Sequence, residues 1–359
     1  MIGEFRAFLL ARSGARQGKA DGRLLGMAKT HDIRMDDLAP RRAAERPDAL
    51  PHHRGREKLL PLGDAIERFV RPGASIVLGT CLEQMIPFAA THEIIRRKIG
   101  DLSLIGPVSD ICFDQLIGAG LARRVVAAWV GNVMMGSAYC FRRAVEHGEP
   151  RPLEVVEFSN FTLALALHAA AIGAPFLPTR SALGTDLIER NPYLQPVASP
   201  LGGEPVLAVR PLVPDTAIVH VQRADAHGNG IMWGSLGITP DAVRAARAVI
   251  LTAEEIVTPE QIRRDPNRVV IPGLTVSAVC EARWGAHPSP VQGYYRRDHE
   301  AYSEYHRATK SAEGYGRWRA EWVEGVEGLG GYLRRLGNER VASLIPIDHH
   351  FPEPVDYGY

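Results

Sequence analysis

The chain has 359 residues, 45% of them apolar and 23% charged, with a formal net charge of +1 at pH 7. That composition belongs to a soluble globular protein with a sizeable core, and it excludes wholesale disorder. No run of about 18 apolar residues occurs, which excludes a membrane-spanning helix of the usual kind.

The four cysteines, Cys81, Cys112, Cys140 and Cys280, are scattered, with no CxxC pair and no Cys/His cluster. They predict no zinc or other metal site and no disulfide framework, and a reducing cytoplasm as the setting. Charge is uneven: residues 1–56 hold twelve Lys/Arg against seven Asp/Glu. The basic residues alternate with acids, Pro and Gly and carry no interleaved aromatics, so nucleic-acid binding is not predicted. RRAAERPDALPHHRGREK has neither a helical nor a strand period, and residues 1–55 are expected to be a mobile extension. The FLL near the start has no continuous apolar core and no cleavage site behind it, so it is not read as an export signal.

Ordered structure is predicted to begin near Leu59. Leu62, Ala65, Ile66, Phe69 and Val70 recur at helical spacing, and Arg71-Pro72-Gly73 ends that helix. Residues 75–78 read as a strand, 87–98 as a helix, 102–105 and 125–130 as strands, 137–146 as a helix, 153–156 as a strand and 160–172 as a helix. The alternation continues with strands at 206–209 and 216–221, a helix at 241–246, a strand at 248–251, a short helix at 258–264, and strands at 269–271 and 276–279. Residues 298–336 are charged and aromatic with helical spacing. Most of the strands are continuous apolar runs, the pattern of a mainly parallel sheet covered on both faces.

Several loops carry candidate chemistry. Gly79-Thr80-Cys81-Leu82-Glu83-Gln84-Met85-Ile86-Pro87 follows the first strand, where open α/β sheets bind their ligands. Backbone amides at the following helix start can hold an anion, and the alternative is a simple helix-initiating turn. Trp129-Val130-Gly131-Asn132 ends another strand at the same edge. Ser159-Asn160 reads as a helix cap. In PFLPTRSALGTD, Arg180 is either an anion ligand or the partner of Asp186. His287, between small residues and prolines, is either a site group or a surface histidine. RADAHGNGIMWGSL, residues 223–236, supplies Gly228-Asn229-Gly230 for a tight turn, with an acid and a histidine beside it.

Taken together, GTCLEQMIPFAATHEIIR, LIGP, SNF, PFLPTRSALGTD, HVQRADAHGNGIMWG, VILTAEEIV and GAHPSPVQGYYRRD resemble the alpha subunit of class I coenzyme A transferases, of the glutaconate CoA-transferase type. The resemblance spans residue 59 to about residue 340. It implies an α/β fold, a three-layer α/β/α domain around a mainly parallel sheet (CoA-transferase-like), over 56–345, with a C-terminal helical extension over 298–340. It implies transfer of CoA from an acyl-CoA to a free carboxylic acid. In such enzymes a glutamate attacks the thioester, expels the CoA thiolate and forms an acyl-glutamyl anhydride. The thiolate then attacks the glutamyl carbonyl to give an enzyme–CoA thioester. No ATP, metal or permanently bound cofactor is called for, the coenzyme A thioester being substrate.

In the family the nucleophilic glutamate lies on the beta subunit, so the resemblance implies a hetero-oligomer with such a partner, and no membrane. This chain's share of the site is then the 79–87 loop, with Gly79, Thr80, Cys81, Glu83 and Gln84, together with Asn132, binding substrate or CoA. The catalytic residue of this chain is not defined by the resemblance, and Glu83 is its candidate. Arg223, Asp225 and Asn229 are expected to hold loop geometry. Glu254 and Glu255, read as following a strand, match the family's scaffold. Some relatives carry a basic run where this chain has Glu-Gln-Met-Ile, and a negative Glu83 disfavours a dicarboxylate unless neighbours neutralise it.

Two other readings stand beside transfer. One is a component of a CoA-thioester C–C hydrolase of steroid-ring catabolism, with an activated water in place of the CoA acceptor. The other is a non-catalytic scaffold, to which Tyr294, Tyr295, Tyr302, Tyr305, Tyr315, Trp318 and Trp322 point if they anchor an interface rather than packing on their own domain.

Overall fold

A computed structural model describes residues 57–346, and the extension expected over residues 1–55 lies outside the described residues. The elements alternate as the apolar runs predict. They are α1 (Leu62–Phe69), β1 (Ser75–Val77), α2 (Phe88–Arg96), β2 (Leu102–Val108), α3 (Ile111–Gly118), β3 (Ala122–Trp129), α4 (Tyr139–His147), β4 (Glu154–Glu157) and α5 (Asn160–Ala171). Then come β5 (Leu177–Thr179), α6 (Leu187–Arg190), β6 (Leu194–Val197), β7 (Val206–Val209), β8 (Thr216–Asp225), β9 (Gly230–Ile231), α7 (Thr239–Ala245), β10 (Ala248–Val257), α8 (Pro259–Arg264), β11 (Val269–Ile271) and β12 (Ala278–Glu281). The C-terminal part is helical: α9 (His299–Ala308), α10 (Ala312–Arg319), a wide π-helical turn over Ala320–Glu324, α11 (Gly328–Leu336) and α12 (Asn338–Leu344).

The main sheet has nine strands among the described residues. Its parallel path runs β4-β3-β2-β1-β8-β10-β12, and β9 and β11 add antiparallel pairs beside the carboxyl half of β8. The central strands are buried on both faces: Ile76, Val77, Leu104, Ile105, Ile218, Val219, Ile250 and Leu251 are at or near zero exposure. This explains their continuous apolar runs. Helices α1 and α2 pack together on one side, and α5 and α7 pack together on the other. That is the three-layer arrangement right-handed crossovers require, because the chain moves outward from β1 to β4 and then returns to β8 and moves the other way.

Several expectations need correction. Residues 206–209 do not join the main sheet but form the middle of a separate antiparallel sheet, β5-β7-β6. Glu254 and Glu255 lie inside β10, which runs to Val257, because pairing with the long β8 continues past the apolar run. The last strand is displaced to Ala278–Glu281. Helix α3 has no counterpart in the sequence reading. It is buried almost all round, including Asp114 and Gln115, so no amphipathic stripe marks it. Asp114 is satisfied there by the Phe141 backbone N–H at 2.7 Å and the Tyr305 hydroxyl at 2.8 Å.

The aromatic segment packs on its own domain. Tyr295, Tyr302, Tyr305 and Tyr315 are buried, Tyr315 donates to the Gln115 carbonyl, and Trp318 meets Tyr305 edge-on. Its tie to the sheet is a buried, hydrogen-bonded carboxyl group. Glu254 on β10 is fully buried. It lies 2.7 Å from His220 Nε2 on β8 and accepts from the Tyr295 hydroxyl at 2.6 Å and the Trp284 N–H at 2.8 Å. Glu254 therefore has a structural task, which fits its match to a scaffold segment. Replacing Glu254 with Ala strands these groups without their acceptor, so Glu254→Ala is expected to cost roughly 3–5 kcal/mol in urea unfolding. A loss under ~1 kcal/mol would mean that water substitutes for the carboxylate there.

Candidate active site

The sheet reverses its direction of growth between β1 and β8. The crevice outside the carboxyl ends of strands at such a reversal is where open α/β sheets bind ligands, and the 79–87 loop lies there. Two glycines let the loop take its path. Gly79 has φ +62° and a side chain on it would strike Ser109 at 2.6–2.9 Å. Gly237 has φ +52° and lies against the carbonyl of Thr80, where no Cβ fits.

The loop is held from beneath by the segment entering α7. The hydroxyls of Thr80 and Thr239 are 2.6 Å apart, the Cys81 Sγ is 3.0 Å from Thr239 Oγ1, and the Ile238 N–H donates to the Thr80 carbonyl at 2.8 Å. Gln84 is fully buried and its Nε2 donates to the Ser235 carbonyl at 2.9 Å, which fixes the orientation of its amide. Burial pushes the Cys81 thiol up to about 11, against the smaller opposing effect of its Thr239 and Thr80 hydrogen bonds. Cys81 is thus a structural thiol in this state, not an activated nucleophile.

Glu83 is different. Its side chain keeps 18% exposure, while the Ser289 hydroxyl donates to its backbone carbonyl at 2.8 Å. Its Oε2 lies 3.2 Å from Arg297 Nη1, and Arg297 Nη2 donates to Asp110 Oδ2 at 2.7 Å. The guanidinium also stacks 3.9 Å from the Tyr302 ring centroid. Asp110, after β2, has φ +45°, an uncommon conformation for a non-glycine residue. Its Oδ1 accepts from the Val133 N–H at 3.2 Å, which joins the loop after β3 to the same cluster. Burial pushes the Asp110 carboxyl up to about 6, with Arg297 pulling the other way.

Asn132 stands beside Val133. Its Nδ2 donates to the Tyr302 carbonyl at 3.2 Å, and its Oδ1 accepts from the Met135 N–H at 3.2 Å. The structure thus gathers Gly79, Thr80, Cys81, Glu83, Gln84 and Asn132 along one edge of the sheet. The anion reading of the helix start meets an obstacle. The N–H groups of Met85, Ile86, Phe88 and Ala89 already bond to Pro290, Ser289, Ile86 and Gly285.

Arg297 and Asp110 escaped the sequence reading. Arg297 lies within GYYRRD and Asp110 follows an apolar strand, but nothing local joins residues 187 apart in sequence. Arg180 pairs with Glu204, not Asp186, because β7 brings residue 204 alongside the β5 segment. His287 is neither a ligand-facing group nor a surface histidine. It is buried, its Nε2 donates to Asp298 at 2.9 Å, and its Nδ1 accepts from the Tyr332 hydroxyl at 2.7 Å. Burial pushes this imidazole down and keeps it neutral. Burial also raises the Asp298 carboxyl, but the hydrogen bonds from His287 and Arg340 outweigh it and hold Asp298 well below the usual carboxylate range.

The turn after β8 is an Asx device. Asp225 Oδ1 accepts from the N–H groups of His227 and Asn229, and Oδ2 accepts from Asn229 Nδ2 at 2.8 Å. Arg223 pairs with Glu255 at 2.9 Å. Asp225 and Asn229 hold loop geometry, as expected, whereas Arg223 forms a cross-strand pair between β8 and β10 because Glu255 lies opposite it in register. Among the described residues no group of three or more His, Cys, Asp and Glu can hold a metal ion, and no helix is long and apolar enough to cross a membrane.

Residues 61–282 match the family model for coenzyme A transferase. The chain belongs to the coenzyme A transferase family. The A subunit of 3-oxoadipate CoA-transferase from Pseudomonas knackmussii is 38% identical over 279 residues, covering 78% of this chain and 98% of the relative. The A subunit of glutaconate CoA-transferase from Acidaminococcus fermentans is 33% identical over 303 residues, covering 80% of this chain and 94% of the relative. The crystal structure of that bacterium's glutaconate coenzyme A-transferase superposes with a TM-score of 0.78 at 32% identity, covering 83% of this chain and 98% of the matched one. The cholesterol ring-cleaving hydrolase IpdA subunit of Mycobacterium tuberculosis is 28% identical over 284 residues, covering 76% of this chain and 94% of the relative. The resemblance read from the motifs is thus borne out, as is the α/β fold with its mainly parallel sheet. The chain is a CoA-transferase-family enzyme subunit of the A type.

The buried, raised thiols make a direct prediction. Iodoacetamide at pH 7.5 should leave Cys81, Cys112, Cys140 and Cys280 unmodified in the folded protein and modify all four after unfolding. Peptide mass spectrometry reads this directly, and labelling confined to Cys81 would mean that the 79–87 loop opens to solvent.

Proposed function

We propose that this chain is the alpha-type component of a heteromeric CoA transferase that moves CoA from an acyl-CoA to a free carboxylic acid. The observation that carries this reading is the near full-length match to the A subunits of 3-oxoadipate and of glutaconate CoA-transferase, at 38% and 33% identity. That these relatives are themselves subunits supports a beta-type partner, and that partner supplies the glutamate that becomes the CoA thioester. No permanently bound cofactor is needed, since the energy of the cleaved thioester is retained in the anhydride and then in the new thioester. Four free, buried cysteines are compatible with a reducing compartment, and we place the enzyme in the cytoplasm.

On this reading, Gly79, Thr80, Cys81, Glu83, Gln84 and Asn132 build this chain's side of the substrate and CoA crevice, with Thr80, Cys81, Gln84 and Asn132 buried as its frame and Glu83 as its exposed member. Their work is to position the thioester against the partner's carboxylate, which lowers the entropic part of the barrier. Thr80, Cys81 and Gln84 fix the loop through Thr239 and Ser235. Glu83 presents its carboxylate at the mouth. Domain limits follow the same reading: a CoA-transferase alpha-subunit domain over 56–345, with its helical part over 298–340.

A second reading, a hydrolase that cleaves a C–C bond of a CoA-thioester substrate, is favoured by one feature. Glu83 is a partly exposed carboxylate on this chain that can serve as base toward water, and hydrolase subunits stand among its relatives. One experiment separates the two. The complex of this chain with its partner is incubated with an acyl-CoA panel, treated with borohydride and analysed by mass spectrometry. Transfer predicts a reduced glutamate on the partner. Consumption of acyl-CoA with incorporation of ¹⁸O from water and no adduct establishes hydrolysis instead. Absence of any turnover, with the complex intact, reduces this chain to a scaffold.

A further inference from the structure

We infer that Arg297 is the positioning residue of this site, acting on the substrate only through the Glu83 carboxylate that it aims. The inference rests on the proposed function in one respect, that Glu83 belongs to the site.

Three elements converge on one guanidinium that a fourth supplies. Glu83 comes from the loop after β1, Asp110 from the end of β2, and Tyr302 from α9. Arg297 itself comes from the segment between β12 and α9. The loop after β3 joins through the Val133 N–H on Asp110. The side chain of Arg297 has no exposed surface, and neither does that of Asp110, whereas Glu83 keeps 18%. The buried pair therefore faces inward and cannot meet a ligand, and Glu83 is the member that can.

The geometry divides the labour. A planar guanidinium offers its N–H donors in a fixed fork, so one Nη can be anchored while the other directs a partner. Asp110 anchors Nη2 at 2.7 Å, Tyr302 covers the flat face, and Nη1 is left pointing along a set line to Glu83 Oε2 at 3.2 Å. A Glu side chain at a loop tip has three rotatable bonds. Ordering it before substrate arrives removes that entropy from the catalytic step. The guanidinium charge also offsets part of the Glu83 charge at the mouth of the crevice, which eases the approach of an anionic substrate.

The test must respect the buried pair. Arg297→Met alone leaves Asp110 buried without its counter-charge and endangers the fold. Arg297→Met/Asp110→Asn removes both charges together and keeps the volume filled. Four variants, each in complex with the partner, are compared in steady-state acyl-CoA turnover: E83Q, R297K, R297M/D110N, and R297M/D110N/E83Q. A positioning role predicts that R297M/D110N lowers kcat roughly tenfold or more, while KM for the CoA thioester changes by less than about threefold. It predicts that the triple variant is no slower than E83Q, because Arg297 has nothing left to aim. R297K, which keeps charge but not the fork, should fall between wild type and R297M/D110N. Hydrogen–deuterium exchange of residues 79–87 should quicken in R297M/D110N with or without substrate.

Additive losses in the triple variant, or wild-type kcat and unchanged loop exchange in R297M/D110N, would overturn the inference. Full activity in E83Q would instead overturn the placing of Glu83 in the site, and the inference with it. An R297M/D110N kcat loss that E83Q does not share would assign Arg297 a structural task.

Discussion

The reversal of strand order at β1 and β8 is the constraint on which the rest of the molecule depends. Once the chain has laid β2, β3 and β4 outward from β1, the returning β8 must take β1's other side. The connections on the two sides then cover opposite faces of the sheet, and the loops that leave β1 and β8 part at the carboxyl edge. That parting makes room for a ligand without any further device. The loop after β1 is the one that can exploit it, and its residues are polar where the flanking segments are apolar.

The edge so created would be loose if loops alone built it. Two buried polar clusters draw the segment after β12 under it. Glu254 takes three donors from β8 and from residues 284 and 295, and the Arg297 guanidinium ties Glu83 to Asp110. Buried ion pairs of this kind add little net stability, since desolvation offsets most of their attraction. Their value lies in specificity of arrangement. Each carboxylate has few ways to find its donors, so the loop ends after β1, β2 and β3 share one geometry. The C-terminal helices then close over the domain with their own aromatic side chains, and His287, Asp298, Tyr332 and Arg340 fasten them. The cavity left beneath them, lined by His92, Gln115, Tyr305 and Tyr332 among others, has room for about one water molecule. It is a packing gap rather than a substrate pocket.

Membership of the coenzyme A transferase family places this chain among proteins named for transfer, and its 28% identity to a subunit named as a cholesterol ring-cleaving hydrolase places a differently named activity among its relatives. At the carboxyl edge of this sheet a partly exposed carboxylate is held by a buried arginine, a combination with direct consequences for the local charge. A loop glutamate without a buried cation behind it would be a mobile surface acid. With Arg297 behind it, Glu83 becomes a fixed feature of the loop after β1.

Much of this was legible in the chain itself. Continuous apolar runs such as those of β2 and β8 announce a doubly covered parallel sheet, because only strands buried on both faces can be apolar throughout. Motifs spread from residue 59 to about 340 carry the family resemblance. Gly79 and the Asp225 turn are likewise readable, since positive φ and Asx hydrogen bonds are local matters. Helix α3 was not readable, because its polar residues point inward and erase the periodic stripe. Nor was the antiparallel pairing of residues 206–209. The pairing of Glu83 with Arg297, 214 residues away, and of Arg180 with Glu204 rather than Asp186, belongs to the same class. Local propensity and hydrophobic period decide which segments become strands and helices and which residues stand at strand ends. Which charged group meets which is decided only when topology brings distant loops to one edge, where burial removes water and leaves each charge to the partner that geometry supplies.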